Sequence, residues 1–484
     1  MHLIAPKCIL FPEGLKRPGD PVKWHRTFQK GTLAYMGITA FVVLLILEIV
    51  LAVRTCRKKP DKKAWRRDRL VIRAAEVGCI LLHIVCSSQK WRFLPALFIL
   101  AILLVIAALT MLIGRNRDGG AKKASGAIVS CVLCAALFAV LLLPAFLFTD
   151  YSGLPVSGQH EIAEASAILI DNSRTDPFEQ DGSAREVPVH FYYPADGTEK
   201  YPLVVFSHGA FGYYQSNAST YMELASNGYV VVALDHPHHA FFTEDTDGNM
   251  ILVDQDFIGK CMNLNSVTDP QEQIALFRQW MDLRTADMNY AVDSIKAAVQ
   301  IGTTDESWYF PEKDRERIQT ALRMTDISKI GLMGHSMGGA TSVELGRERS
   351  DIGAVIDLDG TMLGEYQGVE NGEMLVSDAT YTVPVLDFNN WESYIDREQY
   401  LAEGGRYPND EVIKHASAGF STTVRDTKHM DFTDLPLFSP VLGNMLGSGE
   451  RSTEETMTIV NSLVLSFFDC YLKGEGVFTA QDVY

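Results

Sequence analysis

Hydrophobic positions along this chain follow two different patterns. Through the first third they run continuously. Leu33–Val53, Phe93–Ile113 and Ala127–Phe148 each come close to the roughly 20 apolar residues a helix needs to cross a bilayer. A helix satisfies its backbone N–H and C=O groups within the segment, so such runs are viable in lipid. Glu48 interrupts the first run, and Pro95 stands near the start of the second. A fourth run, Val77–Ser87, has about half the needed length, with Arg73 and Glu76 at its edge and His83 inside. It reads as a re-entrant or interfacial helix. Three spans are expected, with four as the alternative.

From Ala165 onward the pattern changes to short apolar runs separated by helical periodicity. Ala165–Ile170 and Val187–Tyr193 read as an opening pair of strands. Pro202–Phe206, Tyr229–Leu234, Ile327–Met333, Ile352–Ile356, Val383–Leu386 and Thr422–Val424 read as further short strands. Gln271–Val299 and Thr453–Leu472 have helical spacing. Strands alternating with helices predict an α/β fold with a doubly wound, mostly parallel sheet. The expected division is therefore an all-α transmembrane region over 1–150 and an α/β domain over 151–484.

Charge sharpens that division. Residues 1–149 carry 22 Lys+Arg against 7 Asp+Glu, and the remainder carries 21 against 53. The overall −17 conceals the contrast. An acidic body serves solubility and argues against nucleic acid, which requires basic surface. Basic short loops mark the cytoplasmic side of a membrane. Gly114–Ser125, with Arg115, Arg117, Lys122 and Lys123, is therefore expected inside, which delivers the body to the outside of the cell. Arg54–Arg69 is also basic. Three spans place it outside, against the rule; four place it inside but push the basic N-terminus out. About thirty polar, basic residues precede the first run, so no cleavable leader is expected. Cys8, Cys56, Cys79, Cys86, Cys131 and Cys134 fall in the membrane region as small packing residues. Cys261 and Cys470 are either one disulfide or two free thiols. Asn217-Ala218-Ser219 matches a glycosylation sequon.

The candidate chemistry lies in the body. Gly334-His335-Ser336-Met337-Gly338-Gly339 follows the strand Ile327–Met333 and precedes a helix-forming stretch. A G-x-S-x-G turn between strand and helix is a nucleophile elbow, which exposes its serine at the end of a sheet. Ester cleavage of this kind also needs a base, an orienting acid and donors for the oxyanion. Asp359 and His429 follow Ser336 in the order Ser, acid, His, each just past an apolar run. Asp357 and Asp387 are rival acids. His208-Gly209-Ala210 stands where an oxyanion loop is expected, with the backbone N–H groups of Ala210 and Met337 as donors. Asp235, His236, His238 and His239 read as a loop beside the pocket, and Asp431 and Asp434 as supports for the His429 loop. Neither a cofactor nor a metal site is expected.

Phe206-Ser207-His208-Gly209, the elbow, Leu358-Asp359 with Met362, and His429-Met430-Asp431-Phe432 together resemble the platelet-activating factor acetylhydrolase family. The resemblance covers about residues 160–475. It implies an α/β-hydrolase fold, calcium-independent serine lipase activity, and an acid after the sixth strand, as Asp359 is. The chain departs from the family in Gly364–Asp378, in residues 240–268, and in its multi-span region. The expectation is a membrane-anchored serine carboxylic-ester hydrolase, a lipase or esterase. Its substrate is a lipid or small ester, with short sn-2 acyl phospholipids implied by the resemblance. Phe241–Leu264 is a candidate lid or acyl-chain wall. A serine peptidase or acyltransferase of the same fold, or an idle hydrolase fold serving as receptor or scaffold, are the alternatives.

Overall fold

The computed structural model describes residues 23–114 and 120–484, with residues 23–35 described by their backbone alone. Cys8, Arg115, Arg117 and the basic segment up to residue 22 lie outside the described residues. The chain forms two compact units, one containing residues 154–436 and 444–484, the other the helical region up to 153 with 437–443.

The helical unit comprises α1 (Lys23–Lys58), α2 (Lys62–Cys86), α3 (Leu94–Ile113), α4 (Ala124–Leu141) and the single turn α5 (Leu143–Leu147). Met36–Lys58, Lys90–Ile113 and Ala124–Leu141 are long and apolar enough to cross a membrane. Val77–Ser87 is not a separate short helix. All but its last residue forms the C-terminal part of α2, which packs on α1 and α3. The reason lies in the charges at its edge. Arg73 and Glu76 are buried, and the Arg73 guanidinium pairs with both Glu76 and Glu48 of α1. Cys134 of α4 takes a further hydrogen bond from Arg73 at 3.2 Å. Ala40, Leu44, Ile80, Phe93, Leu100 and Phe138 fill the interior. The outer faces stay apolar too, with Ile46, Leu82, Phe98, Leu112, Leu133 and Val140 all exposed. Helices apolar on every side suit lipid rather than water.

The turns of this unit are sorted by end. At one end the Lys122 N–H donates to Pro60 O at 3.0 Å and Arg66 Nη1 to Gly114 O at 2.7 Å. The two basic loops therefore meet. At the other end Asp150 accepts from Ser87 Oγ at 2.7 Å, the Gln89 N–H at 2.8 Å and Arg92 Nη2 at 3.0 Å.

The second unit is the expected α/β domain. Its strands are β1 (Ile162–Thr175), β2 (Ala184–Pro194), β3 (Tyr201–Ser207), β4 (Val230–Leu234), β5 (Phe242–Glu244), β6 (Met250–Leu252), β7 (Trp308–Tyr309), β8 (Thr325–His335), β9 (Ile352–Leu358), β10 (Tyr366–Glu370), β11 (Glu373–Val376), β12 (Val385–Asn390) and β13 (Gly419–Val424). Nine form one sheet in the order β13-β12-β9-β8-β3-β4-β2-β1-β7. The six from β13 to β4 pair in parallel, and β2, β1 and β7 add antiparallel. The helices placed here are α6 (Ala218–Ser226), α7 (Gln255–Met262), α8 (Pro270–Ile301), α9 (Arg315–Met324) and α10 (Met337–Glu348), with Thr453–Phe468 closing the fold.

Both sheet faces are covered, which explains the uninterrupted apolar strands. Leu203 and Val205 of β3 pack with Met288, Ile295 and Val343 from α8 and α10. Val204 and Phe206 point the other way, toward Tyr221, Leu224, Val464 and Phe468. Residues 240–268 hold the β5–β6 hairpin followed by α7, and Gly364–Asp378 holds the β10–β11 hairpin. Asn217 of the sequon is fully buried and donates its amide to Phe432 O at 2.7 Å, so the folded chain does not offer it for glycosylation. Cys261 and Cys470 are free thiols.

Candidate active site

β8 lies between β3 and β9, and its end carries Ser336 out of the sheet. Ser336 has φ 57° and ψ −124°, a conformation that L residues seldom adopt and that costs on the order of 1–3 kcal/mol. Its surroundings enforce it. The Ser336 N–H still donates to Leu358 O of β9 at 2.9 Å, while its own carbonyl accepts from Gly339 and Ala340 to start α10. Glycine is required on both sides. A Cβ at Gly334 would lie 2.1 Å from the Gly338 carbonyl carbon, and one at Gly338 only 2.0 Å from Ser207 O. Ser336 itself remains half-exposed while its neighbours are buried.

Ser336 Oγ lies 3.0 Å from His429 Nε2, and His429 Nδ1 lies 2.6 Å from Asp359 Oδ2. With Nδ1–H donating to the carboxylate, Nε2 is free to accept from the serine hydroxyl. Asp359 is held by Asn390, whose N–H and side-chain amide both donate to it, at 2.6 Å and 2.8 Å. The His429 loop is fixed by Asp431, which accepts from the Lys428 N–H at 2.9 Å and the Gly449 N–H at 2.6 Å. His335 donates to the His429 carbonyl at 3.3 Å. Asp434 accepts from the Ser219 N–H and hydroxyl, tying this loop to α6.

Neither rival acid reaches His429. Asp357 points into the interior, where Oδ1 accepts from the Gly360 N–H at 2.9 Å. Burial, then the nearby Asp387, push its carboxyl well above the usual range. Asp387 sits inside β12, which continues to Asn390 rather than ending at Leu386. Asn389, Asn409 and Ser421 hold it, and burial pushes it up to about 6. Asp359 differs because its φ of 60° breaks the strand alternation that would have aligned it with Asp357.

The 208–210 loop lies against the elbow. A Cβ at Gly209 would come within 2.9 Å of His335 Nδ1 and 3.1 Å of Ser336 Cβ. Met337 opens α10, so its N–H belongs to the first turn, which has no partner within the helix. Among the described residues the N–H groups of Ala210 and Met337 donate to no acceptor.

Below this loop lies a network that sequence reasoning missed. Ser207 Oγ is 2.8 Å from His236 Nε2, and His236 Nδ1 is 3.0 Å from Asp287 Oδ2. This second Ser–His–Asp chain is fully buried, out of reach of any substrate. Burial draws His236 down to about 3, so the ring is neutral. Arg185 pairs with Asp287 at 2.8 Å and Asp176 at 2.8 Å. Arg284 stands beside them in the core. One sequence signal existed: Arg284 and Asp287 interrupt the apolar face of a helix defined by Trp280, Met288, Ala291 and Ile295. Among the described residues no group of three or more His, Cys, Asp or Glu could hold a metal ion.

Comparison with known proteins adds a family. The family described as platelet-activating factor acetylhydrolase, isoform II, matches residues 179–482. The platelet-activating factor acetylhydrolase of Cavia porcellus is 23% identical over 297 residues, 59% of this chain and 61% of that protein. That of Gallus gallus is 25% identical over 295 residues, 57% of this chain and 63% of its own length. The match thus spans about three fifths of these relatives. Among solved structures, a ferulic acid esterase from Streptomyces cinnamoneus is 22% identical with a TM-score of 0.47, covering 67% of this chain and 93% of its own.

Proposed function

This chain belongs to the platelet-activating factor acetylhydrolase isoform II family, and on that premise we propose that it is a membrane-anchored serine carboxylic-ester hydrolase. The observation that carries the reading is the unbroken hydrogen-bond line from Asp359 through His429 to a half-exposed Ser336. Ser336 Oγ attacks the acyl carbonyl while His429 Nε2 takes its proton. The carbonyl oxygen becomes an oxyanion facing the N–H groups of Ala210 and Met337. His429 then protonates the departing alcohol as the C–O bond breaks, which leaves an acyl-enzyme. Water, deprotonated by the same imidazole, attacks the acyl carbon and releases Ser336. Asp359 keeps the imidazole in the required tautomer and stabilises its charged form. The steps use protein groups alone, so neither cofactor nor calcium is called for.

The substrate is a lipid or small ester, with short sn-2 acyl phospholipids of the 1-alkyl-2-acetylglycerophosphocholine kind as the leading class. Support comes from the family, and from the apolar cluster of Phe257, Phe277, Trp280 and Tyr366 around Met337. That cluster draws Phe257 from α7 and Tyr366 from the β10–β11 hairpin.

Anchoring rests on the three long apolar helices and on the apolar outer faces of the helical unit. With α2 as a fourth crossing, Arg54–Arg69 and Lys122–Lys123 share one end, and the positive-inside rule places that end in the cytoplasm. Residues 151–484 then follow from the outer end as an extracellular catalytic domain.

A fluorophosphonate probe tests the reading directly. Wild type should be labelled covalently and should hydrolyse p-nitrophenyl butyrate at a rate unaffected by EDTA. Ser336→Ala should lose both activities while still folding. Labelling of that variant at the wild-type rate, or cleavage of peptide amides but no ester, would overturn it.

A further inference from the structure

We infer that Arg284 is a positioning residue for the oxyanion-binding peptide of this site, an assignment that rests on the ester-hydrolase reading above. Arg284 lies in the middle of α8, one turn from Trp280 and one turn from Met288, on the face turned to the core. It is completely buried. A cation placed there costs several kcal/mol unless its donors are matched. Among the described residues no carboxylate lies within ion-pairing distance of it, and burial pulls its pKa below the usual value.

Its donors go elsewhere. Nη1 donates to His208 O at 2.5 Å, Nη2 to Gly209 O at 3.3 Å, and Nε to His239 Nδ1 at 3.2 Å. Two successive backbone carbonyls are thereby turned toward one guanidinium. In a trans peptide the C=O and N–H point in opposite directions. The carbonyl of Gly209 and the N–H of Ala210 belong to the same peptide group. Drawing that carbonyl onto Arg284 aims the Ala210 N–H away from α8. Gly209 meanwhile abuts Ser336, since a Cβ there would lie 3.1 Å from Ser336 Cβ.

Two further donors hold the same oxygen. His208 Nδ1 donates to Gly209 O at 2.6 Å, and the Gly212 N–H donates to it at 3.1 Å. One neutral tautomer of His208 serves, because its Nε2 accepts from the His236 N–H at 3.2 Å. The Gly209–Ala210 peptide is thus clamped through its oxygen, leaving its N–H unspent. The positive charge behind it polarises the peptide and strengthens that N–H as a donor. An oxyanion hole works because its donors are aimed before the charge develops. Arg284 supplies the aim from the core and touches no substrate.

The test uses the full chain in detergent, with Arg284→Gln and Arg284→Lys each checked for a cooperative melt. Two readings are taken: kcat and KM for p-nitrophenyl butyrate, and the inhibition constant of a trifluoromethyl ketone. The ketone adds to the nucleophilic serine and places an oxyanion in the hole. Arg284→Gln should lower kcat by about 10- to 100-fold with KM changed less than about twofold, and weaken the ketone by a similar factor. Arg284→Lys keeps the charge and reaches one carbonyl, so it should recover part of both. A folded Gln variant with kcat near wild type overturns the assignment. So does one that loses kcat but binds the ketone normally. If neither variant folds, Arg284 is a structural core ion and the assignment falls. A wild-type chain that neither labels nor cleaves esters would instead mean that the hydrolase reading itself has failed.

Discussion

His429 Nδ1 meets Asp359 Oδ2 at 2.6 Å although the two residues follow strands that are not neighbours. Asp359 stands past β9 and His429 past β13, with β12 between them. The intervening strand contributes as well: Asn390 at its end clamps the Asp359 carboxylate from backbone and side chain.

That relationship predicts a ranking of acids. Asp359→Asn should lower kcat by on the order of 10³–10⁴, because the amide favours the wrong histidine tautomer. Asp387→Asn should lower it far less, since Asp387 is engaged by Asn389 and Asn409 rather than His429. Steady-state ester hydrolysis by both variants settles the order, and a reversed ranking would refute it.

The elbow predicts an intolerance. A methyl at Gly338 would press on the backbone oxygens of Ser207 and His208, at 2.0 Å and 2.6 Å. Backbone cannot rotate aside as a side chain would. Gly338→Ala should therefore abolish fluorophosphonate labelling and lower the melting temperature of the catalytic domain. Calorimetry and gel fluorescence read the two effects separately.

A pH effect follows from Glu344 on α10. Burial, then the neighbouring carboxylates Glu348 and Asp282, push it up to about 7 from an ordinary value of 4.5. The folded state therefore binds the proton more tightly than the unfolded state. Stability should fall as pH rises from about 4.5 to 7, and the penalty is fully present above 7. Allowing for partial exposure, it amounts to about 1–2 kcal/mol. Glu344→Gln should be the more stable protein at pH 8 and should flatten this slope. Thermal melts from pH 5 to 8 would show it, and parallel curves would contradict it.

The helical unit predicts a charge dependence. Arg73→Met leaves Glu48 and Glu76 buried without their cation, a loss of about 3–5 kcal/mol. Arg73→Met combined with Glu48→Gln and Glu76→Gln should restore much of it. Yield and melting temperature in detergent compare the two. Equal behaviour of the single and triple variants would argue against the buried triad.

Orientation is open to labelling. In a cysteine-free background, a cysteine near Gly182 should react with an impermeant maleimide on intact cells. One near Lys122 should react only after permeabilisation. The opposite pattern would place the catalytic domain in the cytoplasm.

Much of this protein is determined by local order along the chain. Three long apolar runs identify the lipid-compatible helices, because length and composition alone govern that property. Short apolar runs alternating with helical stretches establish the α/β class, and Gly334–Gly339 marks the elbow, because a tight strand-to-helix turn requires glycine at set positions. What depends on contacts between distant residues was decided only in three dimensions. Asp357, Asp359 and Asp387 are near-equivalent in sequence, each within or just past an apolar run. A left-handed φ at Asp359 and the unexpected length of β12 separate them. Arg73 and Glu76 looked like the polar edge of a short helix, yet Glu48 from another helix brings them inside. In the sequence Arg284 is no more than a charge on an apolar helix face. Two of its three partners are backbone carbonyls more than 70 residues away, and backbone carries no sequence signature.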